Sequence, residues 1–350
     1  VRAEAAPREV LVYVGLDLVG DGLMKLPFLR ALRAAFPEAR VTWLAGKGPS
    51  AFAGPLAPLA EGLIDEVVDD AGIGRKAAEL LHRPLAGSPL QGRRFDLVID
   101  TQTRLLTTLV LRRIPHGTFV SACAGFRLSD RKPPGGDKRL PALAKRLLQL
   151  VEAASGKPAR PEAPLHPPGE AVAAAATLLP GAAPRYAGLV PGAGWRAKCW
   201  PLENHIALAR RLREQELTPV VLLGPDEADW VPQVREALPD ALLPLQDARA
   251  GRVTPALTIA LGRRLGVAVA GDCGAGHMLA AAGTPMVSLF GPTAPEKFAP
   301  MTPRLTVLTA QDHGGDDEVA AIPVDAVAKA VHRLLETPEA AKAQSHGPGR

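Results

Sequence analysis

Runs of apolar residues alternate with helix-period segments along the chain. VLVYVGL at 10–16 is continuously apolar and rich in β-branched residues, as expected of a strand buried on both faces. Leu23, Leu26, Leu29 and Leu32 then recur near helical spacing, which predicts a helix over 20–36. Pro27 falls inside that span, so the helix is expected to start near it or bend there. ARVTWLA (39–45), LIDEVV (63–68) and FDLVID (95–100) read as further strands. Repeated β-α units imply a parallel sheet covered by helices on both faces.

The segment ASGKPARPEAPLHPPGE (154–170) is rich in proline and carries no apolar period, so it reads as a linker. The β-α rhythm restarts after it. Strands are predicted at 185–191, 218–225, 266–272 and 284–292, with helices at 201–215, 255–265, 276–282 and 324–335. Two doubly wound domains follow from this, at 1–160 and 161–336, with a frayed tail at 337–350. In such sheets ligands bind beyond the carboxyl ends of the strands. Several polar residues of this chain fall there.

Composition narrows the class of protein. The chain of 350 residues is 47% apolar and 22% charged, the balance of a globular protein. Cys123, Cys199 and Cys273 are widely separated, with no CxxC pair, which argues against a disulfide framework or structural zinc and suits a reducing cytosol. No stretch of 18 apolar residues suggests a spanning helix, and VRAEAAPRE lacks the apolar core of a signal peptide. Residues 101–150 hold ten Lys/Arg and two Asp/Glu. A solvated surface explains such a stretch, and so does an anionic partner. Aromatic residues are nearly absent from it, so stacking platforms for nucleic acid are not evident.

Four strand-to-helix turns carry candidate chemistry. In VPGAGWRAKCWP (190–201), Gly192 and Gly194 permit close backbone approach, and Lys198 can set a positive charge over a phosphate ahead of a helix N-terminus. An ordinary loop with a solvated lysine is the competing reading. In GDCGAGHM (271–278), Asp272 can accept from sugar hydroxyls, the turns at Gly274 and Gly276 can aim N–H groups at a phosphate, and His277 can donate to it. A capping acid and a half-buried histidine explain the same residues. In VGDGLMKLP (19–27), Asp21 stands where a general base would, with helix capping as the alternative role and Asp17 as the alternative carboxylate. In LLGPDEADW (222–230), Glu227 or Asp229 could hold ribose hydroxyls, or simply complement a helix dipole. GxxxxGK[ST], DxD, HExxH, GxSxG and a GxGxxG in the first turn are all missing, so neither NTPase, metal hydrolase, serine hydrolase nor dinucleotide dehydrogenase is indicated.

In order and spacing, these turns resemble glycosyltransferase family 9, the heptosyltransferases of lipopolysaccharide core assembly. The resemblance runs through GDGLMKLPFLRALRAAFPEARVTWLA, FDLVIDTQ, GFRLSD, VPGAGWRAKCWPLENHIALARRL and VVLLGPDE. Its strongest piece is GDCGAGHMLAAAGTPMVSLFGPTAPEKF, similar to a D-x-G-x-x-H-x-x-A-A-x-x-x-P...G-P-T signature. It implies an α/β GT-B fold: two Rossmann-like parallel-sheet domains facing across a cleft, the first binding an acceptor and the second a nucleotide sugar. It implies inverting, metal-independent transfer of a heptose from an ADP-heptose-like donor, with no cofactor. Asp21 would be the general base and Lys198 the partner of the diphosphate. Gly194, Glu227, Asp272, Gly274, Gly276, His277 and Thr293 would line the donor site. Lys25, Gln102, Arg104 and Arg127 would meet an anionic glycolipid acceptor, and the enzyme would be cytoplasmic, touching the inner membrane peripherally and binding no nucleic acid. Three positions depart from the family pattern: Cys273 stands in place of Ser or Thr, Gly194 where Ser is frequent, and Lys25 where Thr is frequent. These leave open a different nucleotide sugar, or a non-catalytic binder on the same scaffold.

Overall fold

The structure, a computed structural model, describes residues 6–81, 86–88, 90–137, 140, 142–159, 165–181 and 186–336. The tail expected at 337–350 lies outside the described residues, as do Lys138 and Arg139 of the basic stretch. The chain divides into two compact units, Val1–Pro168 and Gly169–Arg350, a boundary eight residues beyond the expected 160/161.

In the first unit, β1 (Glu9–Val14), β2 (Arg40–Ala45), β3 (Glu66–Val68), β4 (Phe95–Asp100) and β5 (His116–Ser121) form a sheet in the order β3-β2-β1-β4-β5. Every pairing is parallel. Val10 to Val14 are fully buried, as the unbroken apolar run requires of a central strand. Leu11, Tyr13, Leu44 and Val98 join Val110, Leu111 and Phe119 in one core cluster. The helices Val19–Ala35 and Leu143–Ser155 pack on each other, and the second ends on Gly156 in the left-handed conformation. The first helix starts at Val19, eight residues before Pro27, and continues past it. The proline sits in the interior and lacks an N–H, so the Leu23 carbonyl loses its usual helical donor there.

The second unit repeats the plan with β6 (Tyr186–Val190), β7 (Thr218–Val221), β8 (Val267–Gly271), β9 (Met286–Phe290) and β10 (Leu305–Thr309), ordered β10-β9-β8-β6-β7 and again parallel. Its core gathers Leu189, Val221, Val269 and Leu289 with Leu208, Leu212, Val327 and Val331 from the helices Leu202–Glu214 and Val324–Glu336.

Two strands, β5 and β10, were not expected, and β3 is three residues long rather than six. All three are sheet edges. An edge strand has one neighbour, so it is shorter or more polar than the central strands and its apolar signal is weak. In β10 every residue is only half-buried.

The strand orders fix where each unit reverses direction. In the first unit the chain steps outward from β1 to β3 and then returns to place β4 on the other side of β1. In the second it goes from β6 to β7 and returns to place β8 on the other side of β6. Such switch points leave a crevice at the carboxyl ends of the two adjacent strands. For these units the crevices lie after β1 and β4, and after β6 and β8.

Candidate functional site

After β6 the chain passes Gly192 and Gly194 into a short 3-10 turn, Arg196–Lys198. The Lys198 ammonium donates to Asp272 Oδ2 at 2.8 Å, and both side chains are largely buried. Asp272 directly follows β8, so the pair bridges the second unit's switch point. Glycine at 271 lets the loop lie close to the strand end: a Cβ there would come within 3.2 Å of the Lys198 carbonyl oxygen. Residues 74 positions apart are thereby brought together as a charge-assisted bond.

The helix Gly274–Ala281 begins in the same crevice, and its N-cap is Cys273. The Cys273 Sγ accepts the Gly276 N–H at 3.3 Å. Burial pushes the thiol up to about 12, against the pull of that N–H, so it stays protonated. The Gly276 N–H, expected to face a phosphate, is therefore engaged by the cap. Gly276 is itself buried, with the Gly271 carbonyl oxygen and Ala270 at 3.3 and 3.4 Å from the position of a Cβ. Gly274 keeps its N–H unbonded among the described residues. His277 is half-buried one turn on; burial holds its imidazole below the usual histidine range, with Asp272 opposing, so it is neutral at pH 7. Thr293 follows β9, and its hydroxyl is buried with no hydrogen-bond partner among the described residues. A buried unpaired hydroxyl is costly and invites a ligand.

Glu227 closes another side of the crevice, in the short helix Pro225–Trp230 after β7. Its Oε2 accepts the Gly224 N–H at 2.8 Å. The carboxylate lies against Gly192, where a Cβ would sit 2.2 Å from Glu227 Cδ. Gly194 has nothing within 4 Å of its would-be Cβ. Arg196 lies over the Trp230 ring at 4.0 Å and binds both Asp229 oxygens at 3.1 Å. Asp229 is thus tied to an arginine, which separates it from Glu227 as a candidate for hydroxyl recognition.

In the first unit the turns after β1 and β4 meet at that unit's switch point: a Cβ on Gly15 would lie 2.9 Å from Gln102 Oε1. Asp21 is the third residue of the helix Val19–Ala35; the N-cap is Leu18, so Asp21 does not cap. It is half-buried, and its carboxylate has no hydrogen bond or ion pair among the described residues. Asp17 is the opposite case. It is buried and accepts from Lys25 Nζ at 2.7 Å, Trp43 Nε1 at 2.9 Å and Ser50 Oγ at 2.6 Å. A carboxylate saturated this way is unsuited to take a substrate proton, which leaves Asp21 as the free one. Lys25 is corrected by the same network: it is 6% exposed and ion-paired inside the unit, so it offers no open positive charge to an acceptor.

Arg104 and Arg127 are exposed and make no hydrogen bond or ion pair among the described residues. Arg127 follows three consecutive left-handed residues, Ala124, Gly125 and Phe126. Such a backbone is strained for alanine and phenylalanine and is held here by the fully buried Phe126 ring. Gln102 donates its N–H to Asp100 Oδ1 at 2.8 Å. Asp100 itself was not anticipated. It is buried at the end of β4, accepts from Thr108 and Ser121, and is pushed up to about 6 by burial. An acid terminating an apolar strand, FDLVID, was the signal available. Away from these turns, a groove of about 1160 Å³ opens at the amino ends of β1, β4 and β5, near Arg8, Asp96 and Lys157. It contains none of the candidate residues.

Two doubly wound parallel units with charged side chains gathered at their switch points have the architecture of GT-B glycosyltransferases. The chain belongs to glycosyltransferase family 9 (heptosyltransferase), whose sequence profile matches residues 86–320. It is similar to the lipooligosaccharide heptosyltransferase 2 of Haemophilus influenzae, 31% identical over 123 residues, which is 35% of each chain. The match thus spans about a third of that relative's length. Three solved structures share the fold. They are a family 9 glycosyltransferase from Veillonella parvula (TM-score 0.70, 20% identity, 94% and 97% of the two chains), the E. coli ADP-heptose heptosyltransferase II (0.62, 21%, 93% and 98%) and the E. coli heptosyltransferase WaaC with ADP-2-deoxy-2-fluoro heptose (0.64, 21%, 93% and 99%). Among the described residues, no group of three or more His, Cys, Asp or Glu is arranged to hold a metal ion, and no helix is long and apolar enough to cross a membrane.

Proposed function

We propose that this glycosyltransferase moves a heptose from an ADP-linked donor to an anionic glycolipid of the lipopolysaccharide core, with inversion and without a catalytic metal. The second unit takes the donor. The first takes the acceptor and supplies the base. The observation that carries the reading is the Lys198–Asp272 pair at the β6/β8 switch point, beside the amino end of the helix Gly274–Ala281.

The chemistry follows from those groups. Asp21 accepts the proton of the acceptor hydroxyl as its oxygen attacks the anomeric carbon. The bond from that carbon to the diphosphate breaks on the opposite face, and ADP departs with the electron pair. Lys198 and the helix N-terminus supply positive charge to the leaving diphosphate. Asp272, Thr293 and neutral His277 orient the sugar and phosphate, and Glu227 holds ribose hydroxyls. The exposed Arg104 and Arg127, with Gln102, meet the acceptor's acidic groups. The enzyme works in the cytoplasm and touches the inner membrane only at its surface.

The test is calorimetric titration with ADP, UDP, GDP and CDP in EDTA, followed by transfer assays with the matching sugar nucleotide. Selective binding of ADP, and ADP-heptose turnover that Asp21→Ala abolishes while ADP still binds, is the expected result. Preference for another nucleotide would reassign the donor, and binding without turnover on any donor would make the protein a nucleotide-sugar binder. Gly194 and Cys273 would then be the first positions to examine, because neither offers the hydroxyl the family pattern has there.

A further inference from the structure

Lys25 lies four residues after Asp21, in the helix Val19–Ala35. Side chains at that spacing are neighbours on a helix, and an acid followed by a lysine at that distance ordinarily pairs. Here it does not. The ammonium turns to Asp17 at 2.7 Å, and Asp21 keeps no partner among the described residues.

The competing carboxylate is strongly held. Asp17 is 1% exposed and receives two further donors, from Trp43 and Ser50. Its backbone is stitched to the same segment, since the Ala51 N–H donates to the Asp17 carbonyl at 2.8 Å. Ser50 is fixed in turn by accepting the Phe52 N–H. The Asp17 carboxylate therefore stands in one place, and it draws the lysine inward.

We propose that Asp17 is a positioning residue: by holding Lys25 it prevents an Asp21–Lys25 pair and leaves the Asp21 carboxylate free to take a proton. This rests on the reading of Asp21 as the base. A base paired directly to an ammonium has its lone pair engaged and its basicity lowered, which slows proton removal without altering donor binding in the other unit. The lysine that replaces the family's threonine thus brings a hazard, and the buried acid eight residues before it contains that hazard.

The proposal makes the two partners unequal. Asp17→Asn releases Lys25, whose nearest remaining carboxylate along the helix is Asp21; kcat should fall about tenfold or more, with donor KM within about twofold. Lys25→Met leaves Asp21 free, so kcat should stay within about threefold of the parent. The double variant D17N/K25M removes both buried charges and should recover to the K25M level. A crystal structure of D17N should show the Lys25 ammonium within ion-pair distance of Asp21.

A purely structural ion pair predicts otherwise. K25M would then be as impaired as D17N, or the double variant no better than D17N, and either result overturns the proposal, as does a D17N structure with Lys25 away from Asp21. If D17N alone does not fold, K25M and the double variant decide together: kcat within about threefold of the parent in both supports the proposal, and loss beyond about tenfold in either overturns it. Failure of the unaltered protein to turn over any sugar nucleotide would instead remove the function reading, while the position of Lys25 in D17N would still report on the pairing.

Discussion

The Lys198 ammonium and the Asp272 carboxylate meet at 2.8 Å across the carboxyl ends of β6 and β8. The pair holds a cation in the crevice, and a diphosphate bound there would share or replace Asp272 as its partner. The two residues should therefore respond in opposite senses to ADP. Lys198→Met removes a charge-assisted contact of about 1.5–3 kcal/mol, so ADP affinity should fall on the order of ten- to a hundredfold. Transfer should fall further, about 10²–10³-fold in kcat, because the leaving charge develops in the transition state. Asp272→Asn removes a repelling carboxylate and should leave ADP affinity unchanged or improved, while kcat/KM for the complete donor falls. Calorimetry with ADP and steady-state kinetics on both variants check this.

Gly192 and Gly194 stand two residues apart in one loop and should tolerate substitution very differently. A Cβ at 192 would overlap Glu227, 2.2 Å from its Cδ, whereas nothing lies within 4 Å of one at 194. Gly192→Ala should push the Glu227 carboxylate off the Gly224 N–H and out of the crevice. Loss of one or two hydrogen bonds of about 1 kcal/mol each corresponds to roughly five- to thirtyfold weaker nucleotide binding. Gly194→Ser should fold as the parent does and add a hydroxyl to the loop, with ADP affinity equal or higher. Binding isotherms of the two variants, with melting curves to confirm the fold, decide the matter.

Much of this was legible in the chain because central parallel strands are apolar on both faces. VLVYVGL, the strand expected at 185–191 and GVAVAGD were each located to within two residues or so, and with them the segments that carry Asp21, Lys198 and Asp272. The edge strands β5 and β10 were not legible: β10 is half-buried throughout, and β5 opens on His116, Gly117 and Thr118, which give no apolar pattern ahead of the buried Phe119 and Val120. Side-chain pairing was beyond the sequence altogether. Lys25 looked like a cleft cation and proved to be a buried partner of Asp17, which only the folding of residues 43–50 against the first turn could establish. Asp100 was visible as a letter, but its burial between Thr108 and Ser121 depends on a neighbouring edge strand that the pattern did not reveal.

Cys273 should be a poor target for thiol reagents and a good site for serine. Its Sγ caps the helix Gly274–Ala281 through the Gly276 N–H, and burial keeps it protonated. Serine is a preferred residue at that position, so Cys273→Ser should melt within about 2 °C of the parent; Cys273→Ala, which loses the cap at about 1 kcal/mol, should melt about 2–4 °C lower. In the native protein a limiting alkylating reagent should modify Cys199, which is half-exposed, before Cys123 or Cys273, both buried. Intact-mass and peptide mapping after brief labelling would show the order.

Asp100 should give the first unit a distinct pH signature. Burial raises its carboxyl from the ordinary 3.8 to about 6, against the opposing hydrogen bonds from Thr108, the Gln102 N–H and Ser121. The folded state therefore binds the proton more tightly than the unfolded chain. The resulting stabilisation is fully present below about pH 3.8 and is lost as pH rises through about 6. Two pH units of such a difference correspond to about 3 kcal/mol. Asp65, Glu66 and Asp96 act in the reverse sense, because hydrogen bonds and arginines hold them below their ordinary values; their stabilisation is present at neutral pH and is lost only as pH falls below the carboxylate range. In the window from about pH 4.5 to 6.5 the buried His205 and half-buried His277, both held below the usual histidine range, raise stability as pH rises, so it is the difference between the parent and an Asp100 variant that isolates Asp100. Asn at this position retains an oxygen for the Gln102 N–H, and the Thr108 and Ser121 hydroxyls can rotate to accept from its amide. Asp100→Asn should therefore fold, and the parent-minus-variant difference in unfolding free energy should decline steadily across the window, then level off above pH 7. Urea unfolding of both proteins at half-unit pH steps measures that difference, and a flat difference would mean that Asp100 titrates at its ordinary value despite its burial.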